Sequence, residues 1–138
     1  LAELADQASA AELRQQIEFV GEPDDEELWN LYERSDILVS ASLHEGLCVP
    51  VIEAYLAGCR VVGTTAGNLP YVVAAPDPVV PPGDPQALAT ALRSVIEAVL
   101  DGSPHDASAV EPVTNVYSTA NSSAALDREL ARIASRIG

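Results

Sequence analysis

SLHEGLCVPVIEAYLAGCRVV, residues 42–62, sets two acids, Glu45 and Glu53, eight positions apart across a Gly-containing turn, with Pro50 just where a helix begins. Immediately before it, ILVSAS (37–42) reads as a buried strand. Within it, PVIEAYLAG (50–58) reads as a helix with Pro50 at its first position and Gly58 past its end. RVVGTT (60–65) is the next strand. In parallel sheets ligands sit at the carboxyl ends of strands, beside helix starts of this kind. The amides of Gly46, Leu47, Cys48 and Val49, with the positive end of the helix dipole, form a candidate phosphate site. Pro50 gives up only an N–H that the first helical turn leaves unpaired.

Glu53 lies about one turn into that helix, near the phosphate position. A carboxylate offers only acceptor lone pairs, so the adjacent hydroxyls of a ribose are a natural partner. Glu45, before the helix, faces whatever lies beyond the phosphates. One acid per sugar suits a nucleotide bonded to a second sugar. Spacing alone favours the plainer account: Glu45 as a loop solvator and Glu53 as a favourable charge in a first helical turn.

Working outward, the elements alternate. Residues 2–15 have apolar positions at helical spacing, and IEFVG (17–21) reads as a short strand closed by Gly21. Asp24 opens a helix with Glu27 at the capping-box spacing, and Leu28, Leu31 and Tyr32 form its apolar face. AGNLP (66–70) reads as a loop and PVVPP (78–82) as a short edge strand hemmed by prolines. Asp84 caps the next helix, with Pro85 at its first position. Residues 101–116 are Pro-, Ser- and Asp-rich and read as a loop, and residues 117–138 carry a terminal amphipathic helix. Strands alternating with helices imply an α/β fold with a parallel sheet and right-handed crossovers.

Composition narrows the class. The chain has 138 residues, 48% of them hydrophobic and 20% charged, which is one globular domain by size. It contains no Met and starts at Leu1, so that start is not read as native. All seven cationic side chains are Arg, against 21 acids, for a net charge of −14. Such a chain does not neutralise a phosphate backbone, so nucleic acid is set aside as a partner. The acid excess suits a highly charged solvated surface, and the absence of Lys also follows from GC-rich coding. No apolar run reaches a membrane span and no secretion signal is visible, so the expected location is cytoplasmic. Cys48 and Cys59 lack metal spacing and are read as unpaired thiols of a reducing compartment.

Taken together, Ser42-x-x-Glu45-Gly46-Leu47-Cys48-Val49-Pro50-x-x-Glu53-Ala54, then Ala57-Gly58 and Val61-Val62, resembles the signature of retaining glycosyltransferase family 4. His44 and Cys48 match the subgroup with an H-E-G-F-C-V-P core. VGEPDDEELWNLYERSDILVSAS, AGNLPYVV and VVPPGDPQALATAL agree with its flanks, so the likeness runs over about residues 1–100, with a looser match from Tyr117 onward.

The resemblance implies a GT-B architecture of two Rossmann-like halves, of which this is part of the C-terminal, donor-binding one. It implies transfer of a hexose from a UDP- or GDP-type sugar to an unknown acceptor, with retention and no metal requirement. Glu53 would then contact the ribose hydroxyls, and Glu45 the donor hexose in a catalytic, charge-stabilising role. Gly46, Leu47, Cys48 and Val49 would serve sugar and diphosphate through their amides. His44 either lines the donor cleft or simply faces solvent.

Departures are equally specific. Leu47 replaces the usual Phe, Arg60 stands where Pro is common, and Tyr71 where an acid often follows the loop proline. The family's first two donor-half strands, with an Arg and a Lys that grip the diphosphate, and the acceptor half have no counterpart here. A partial Rossmann-like sheet is therefore expected, lacking its first two strands. Its unpaired edges invite self-association, and the fragment is expected to be inactive alone. In the full-length enzyme a membrane-peripheral position is compatible with this reading. The competing reading is a non-catalytic nucleotide-binding or regulatory module that partners another chain. A dinucleotide oxidoreductase stands well behind, because no G-x-G-x-x-G follows a strand.

Single residues take plain roles at this point. Trp29 is an apolar-face anchor in preference to a sugar platform, Arg60 a surface charge, and Cys59 a residue packed on the sheet. Neither Cys48 as thiolate nor His105 with Asp106 as metal ligands is expected.

Overall fold

A computed structural model of the chain describes residues 16–103 and 107–116. Eight elements follow in order: α1 (Asp25–Glu33), β1 (Ile37–Ser40), α2 (Val49–Leu56), β2 (Arg60–Thr64), α3 (Leu69–Val72), β3 (Val79–Val80), α4 (Pro85–Leu100) and α5 (Ala107–Val116). The strands form one parallel sheet in the order β1-β2-β3, with Ile37 opposite Arg60 and Gly63 opposite Val79. The fold is α/β, with helices flanking a three-stranded parallel sheet.

Local chemistry explains the helix starts. The Asp24 carboxylate accepts from the Glu27 amide at 2.9 Å and Glu27 reaches back to the Asp24 amide, a completed capping box. Asp84 accepts from the Ala87 amide at 2.9 Å, with Pro85 in the first turn of α4. α2 begins without a side-chain cap, and Pro50 sits in its first turn.

β2 is buried along its whole length, as the middle strand should be. Val61, Leu69, Val51 and Val72 close the core between sheet and helices. A buried polar clamp crosses that core. The Asp77 carboxylate accepts from Arg60 Nε at 2.5 Å, from the Val61 amide at 2.7 Å and from the Tyr55 hydroxyl at 3.1 Å. Tyr55 in turn accepts from the Ala74 amide at 2.9 Å. Each buried polar group is thereby satisfied, the condition for keeping a charge pair inside a core. Burial, then the Asp77 charge, pushes the Tyr55 phenol pKa well up.

Several expectations need correction. Arg60 is no surface charge: it is 8% exposed and paired with Asp77. The stretch 17–20 is not a strand, and Ile17, Phe19 and Val20 are exposed. A β ladder needs a neighbour, and no strand pairs with this stretch among the described residues. The expected loop at 66–70 gives way to the short helix α3 from Leu69. The expected loop 101–116 holds α5 from Ala107, with Pro112 inside it. Burial decides that helix, since Val110 and Val113 pack three residues apart onto the core. The expected helices at 2–15 and 117–138 lie outside the described residues. No helix among those described is long and apolar enough to cross a membrane.

Candidate functional site

The two acids of the opening stretch stand on either side of the α2 start. Glu45 is half-buried in the loop after β1, where its Oε1 accepts from Ser42 Oγ at 2.6 Å. The Ser42 carbonyl accepts from Thr64 Oγ1 at 2.7 Å, which ties this loop to the end of β2. A second loop presses on it from the other side. At Gly67, φ is +54°, and a Cβ built there would overlap the Glu45 carbonyl oxygen and stand 2.8 Å from its carbon. Only glycine fits that approach.

Between the acids in the chain lie the backbone amides. Among the described residues, those of Gly46, Leu47 and Cys48 take part in no backbone hydrogen bond, whereas Val49 N–H donates to the Leu47 carbonyl at 3.0 Å. A Cβ at Gly46 would meet nothing within 4 Å, so approach to that position is open. His44 and Leu47 are exposed, while Cys48 is buried behind them. Burial pushes the Cys48 thiol up, with a Ser40 hydrogen bond pulling the other way. The Cys59 thiol, fully buried and donating to the Tyr32 and Ser35 carbonyls, is pushed up for the same first reason. Neither is set up as a nucleophile.

Glu53 is half-buried and accepts from the Tyr32 hydroxyl at 3.1 Å through Oε2. It lines an open cavity of about 290 Å³ with Asp25, Leu28, Trp29 and Tyr32. Trp29 is 40% exposed, edge-on to Tyr32 with centroids 6.3 Å apart, and its Nε1 donates to Glu33 at 2.8 Å. It is thus a wall of this cavity as well as a packing residue. Burial, then the Glu53 hydrogen bond and charge, pushes the Tyr32 phenol up to about 12.

The chain belongs to the Glycosyl transferases group 1 family. That family matches residues 1–107. Serotype-specific mannosyltransferase WbdA of Escherichia coli is 34% identical over 87 residues, 63% of this chain and 10% of that protein. Sucrose-phosphate synthase from Thermosynechococcus elongatus superposes with a TM-score of 0.75 at 23% identity, over 96% of this chain and 34% of that one. That likeness shows the fold alone, an α/β unit with helices flanking a parallel sheet. The chain thus spans a small part of the length of these relatives.

Sequence reasoning missed Tyr32, Ser42 and Gly67 as parts of this corner. Gly67 carried a signal, a glycine in the loop that follows a strand. Tyr32 carried none, because its helical spacing reads as core.

Proposed function

We propose that this chain is the donor-binding region of a retaining hexosyltransferase that uses a UDP- or GDP-type sugar. One observation carries the reading: three amides that take no backbone hydrogen bond among the described residues lead into a helix flanked in the chain by two half-buried carboxylates, each accepting from a hydroxyl. The diphosphate takes the amides of Gly46, Leu47 and Cys48 and the helix dipole, which matters in a chain of net charge −14. The Val49 amide joins only if it leaves the Leu47 carbonyl. Glu53 accepts from the ribose hydroxyls. Glu45 holds the hexose and stabilises positive charge at its anomeric carbon, while the leaving diphosphate takes the acceptor's proton in front-face attack. This route calls on no metal. The similarity to a mannosyltransferase makes mannosyl donors the first to try.

Donor turnover by the full-length gene product, compared with Glu45→Gln and Glu53→Ala, tests the assignment. Glu53→Ala should raise the nucleotide Kd about tenfold or more, and Glu45→Gln should slow transfer with little change in Kd. Wild-type rates and affinities in both variants would overturn it. Donor binding without turnover by the wild type would favour a regulatory nucleotide-binding module.

A further inference from the structure

Glu53 needs more than proximity to serve as a hydroxyl acceptor. A free glutamate on a helix surface samples several rotamers, and selecting one on binding costs affinity. Here Oε2 already accepts from the Tyr32 hydroxyl at 3.1 Å, across 21 residues of sequence. Tyr32 is itself fixed. It is 7% exposed, its ring meets the Trp29 edge, and its carbonyl accepts from the buried Cys59 thiol at 3.3 Å. A carboxylate has about four acceptor positions and the phenol occupies one. Oε1 takes no hydrogen bond among the described residues.

We propose that Tyr32 is the positioning residue for Glu53: its hydroxyl locks one carboxylate oxygen so that the other is held ready for the ribose diol of the donor nucleotide. This rests on the reading of Glu53 as the ribose acceptor. Tyr32 itself touches no donor atom and acts through the carboxylate. The phenol, pushed up to about 12, remains a donor at neutral pH.

The test is a double-mutant cycle on the full-length protein, read as Kd for UDP and GDP and as donor KM and kcat. Tyr32→Phe keeps the ring and removes only the hydroxyl. It should raise Kd and KM about tenfold with kcat within about twofold. In a Glu53→Ala background the same change should add less than about twofold, the coupling that a merely structural hydroxyl would not show. A second measurement stands independently of how Tyr32→Phe folds: ¹³C-tyrosine NMR of Glu53→Ala should show Tyr32 ionising nearer 10. Wild-type affinity in Tyr32→Phe, full additivity of the two changes, or an unmoved Tyr32 titration would each overturn the proposal. A Glu53→Ala variant that binds nucleotide normally would sink the parent reading instead, and so would a wild type that binds neither nucleotide.

Discussion

Glu45 and Glu53 are held in opposite ways. Glu45 belongs to a loop, positioned by contacts to other loops: Ser42 through its hydroxyl, Thr64 through the Ser42 carbonyl, and Gly67 by close approach of backbone. Glu53 rides on a helix that the Tyr55–Asp77–Arg60 clamp fastens to the middle strand. A loop-borne group can shift with its substrate as charge develops, whereas a helix-borne group presents a preset surface. The contrast matches the division of labour proposed above, with the hexose met by the adjustable acid and the ribose by the rigid one.

The strongest way to break the rigid side is Asp77→Ala. It removes the acceptor of the Arg60 guanidinium and of the Val61 amide inside the core, and one partner of the Tyr55 hydroxyl. Loss of one member of a buried pair costs about 3–5 kcal/mol. Denaturant unfolding of the full-length protein should show a fall of that size in the unit containing this sheet. A change under about 1 kcal/mol would mean the clamp does not hold α2.

Gly67→Ala attacks the loop side alone. The added Cβ overlaps the Glu45 carbonyl, and φ of +54° adds backbone strain of about 1–3 kcal/mol. Because the displaced atoms are backbone, the Glu45 loop must move. Transfer should fall about a hundredfold or more, with nucleotide Kd changing far less than in Glu53→Ala. Equal damage to both readouts would erase the distinction between the two sides.

What the sequence made legible follows the reach of its interactions. The Asp24–Glu27 box and the Asp84 cap close within three residues, so their patterns could be read directly. The parallel β1-β2 pair followed from strand–helix alternation. The two acids and the amide turn between them were also visible, because they lie within one short stretch. What escaped was long-range. Arg60 met Asp77 across 17 residues, and Tyr32 met Glu53 across 21. Those pairings depend on the order of strands, which no local pattern encodes. The stretch 17–20 has strand composition but no ladder partner, and α5 owes its helix to burial of Val110 in a segment that looks like a loop.

Ser42→Ala sharpens the comparison more gently. It removes the 2.6 Å hydrogen bond to Glu45 while leaving the Thr64 contact to the Ser42 backbone intact. A hydrogen bond to a charged group contributes about 1.5–3 kcal/mol, so transfer should slow about ten- to a hundredfold. Nucleotide Kd should stay within about twofold, since the Glu53 side is untouched. An affinity loss matching the rate loss would show the acids to be one coupled unit.

The smallest effect is an alkaline one, confined to the helix side. The Tyr32 phenol moves from an ordinary 10.0 in the unfolded chain to about 12 in the fold, chiefly through burial and then through Glu53. A raised folded pKa means the fold favours the protonated phenol. Its contribution to stability is therefore complete below pH 10 and is lost as pH climbs from 10 through 12. Unfolding free energy followed over that window should decline more steeply in wild type than in Tyr32→Phe, which has no proton to lose. The slopes are set by the difference in protons bound, so they report this one group even when the other tyrosines titrate in both proteins. Parallel slopes would show Tyr32 ionising as it does in the unfolded chain. The phenol would then not be held by Glu53, and the rigid side would be no more preset than the loop.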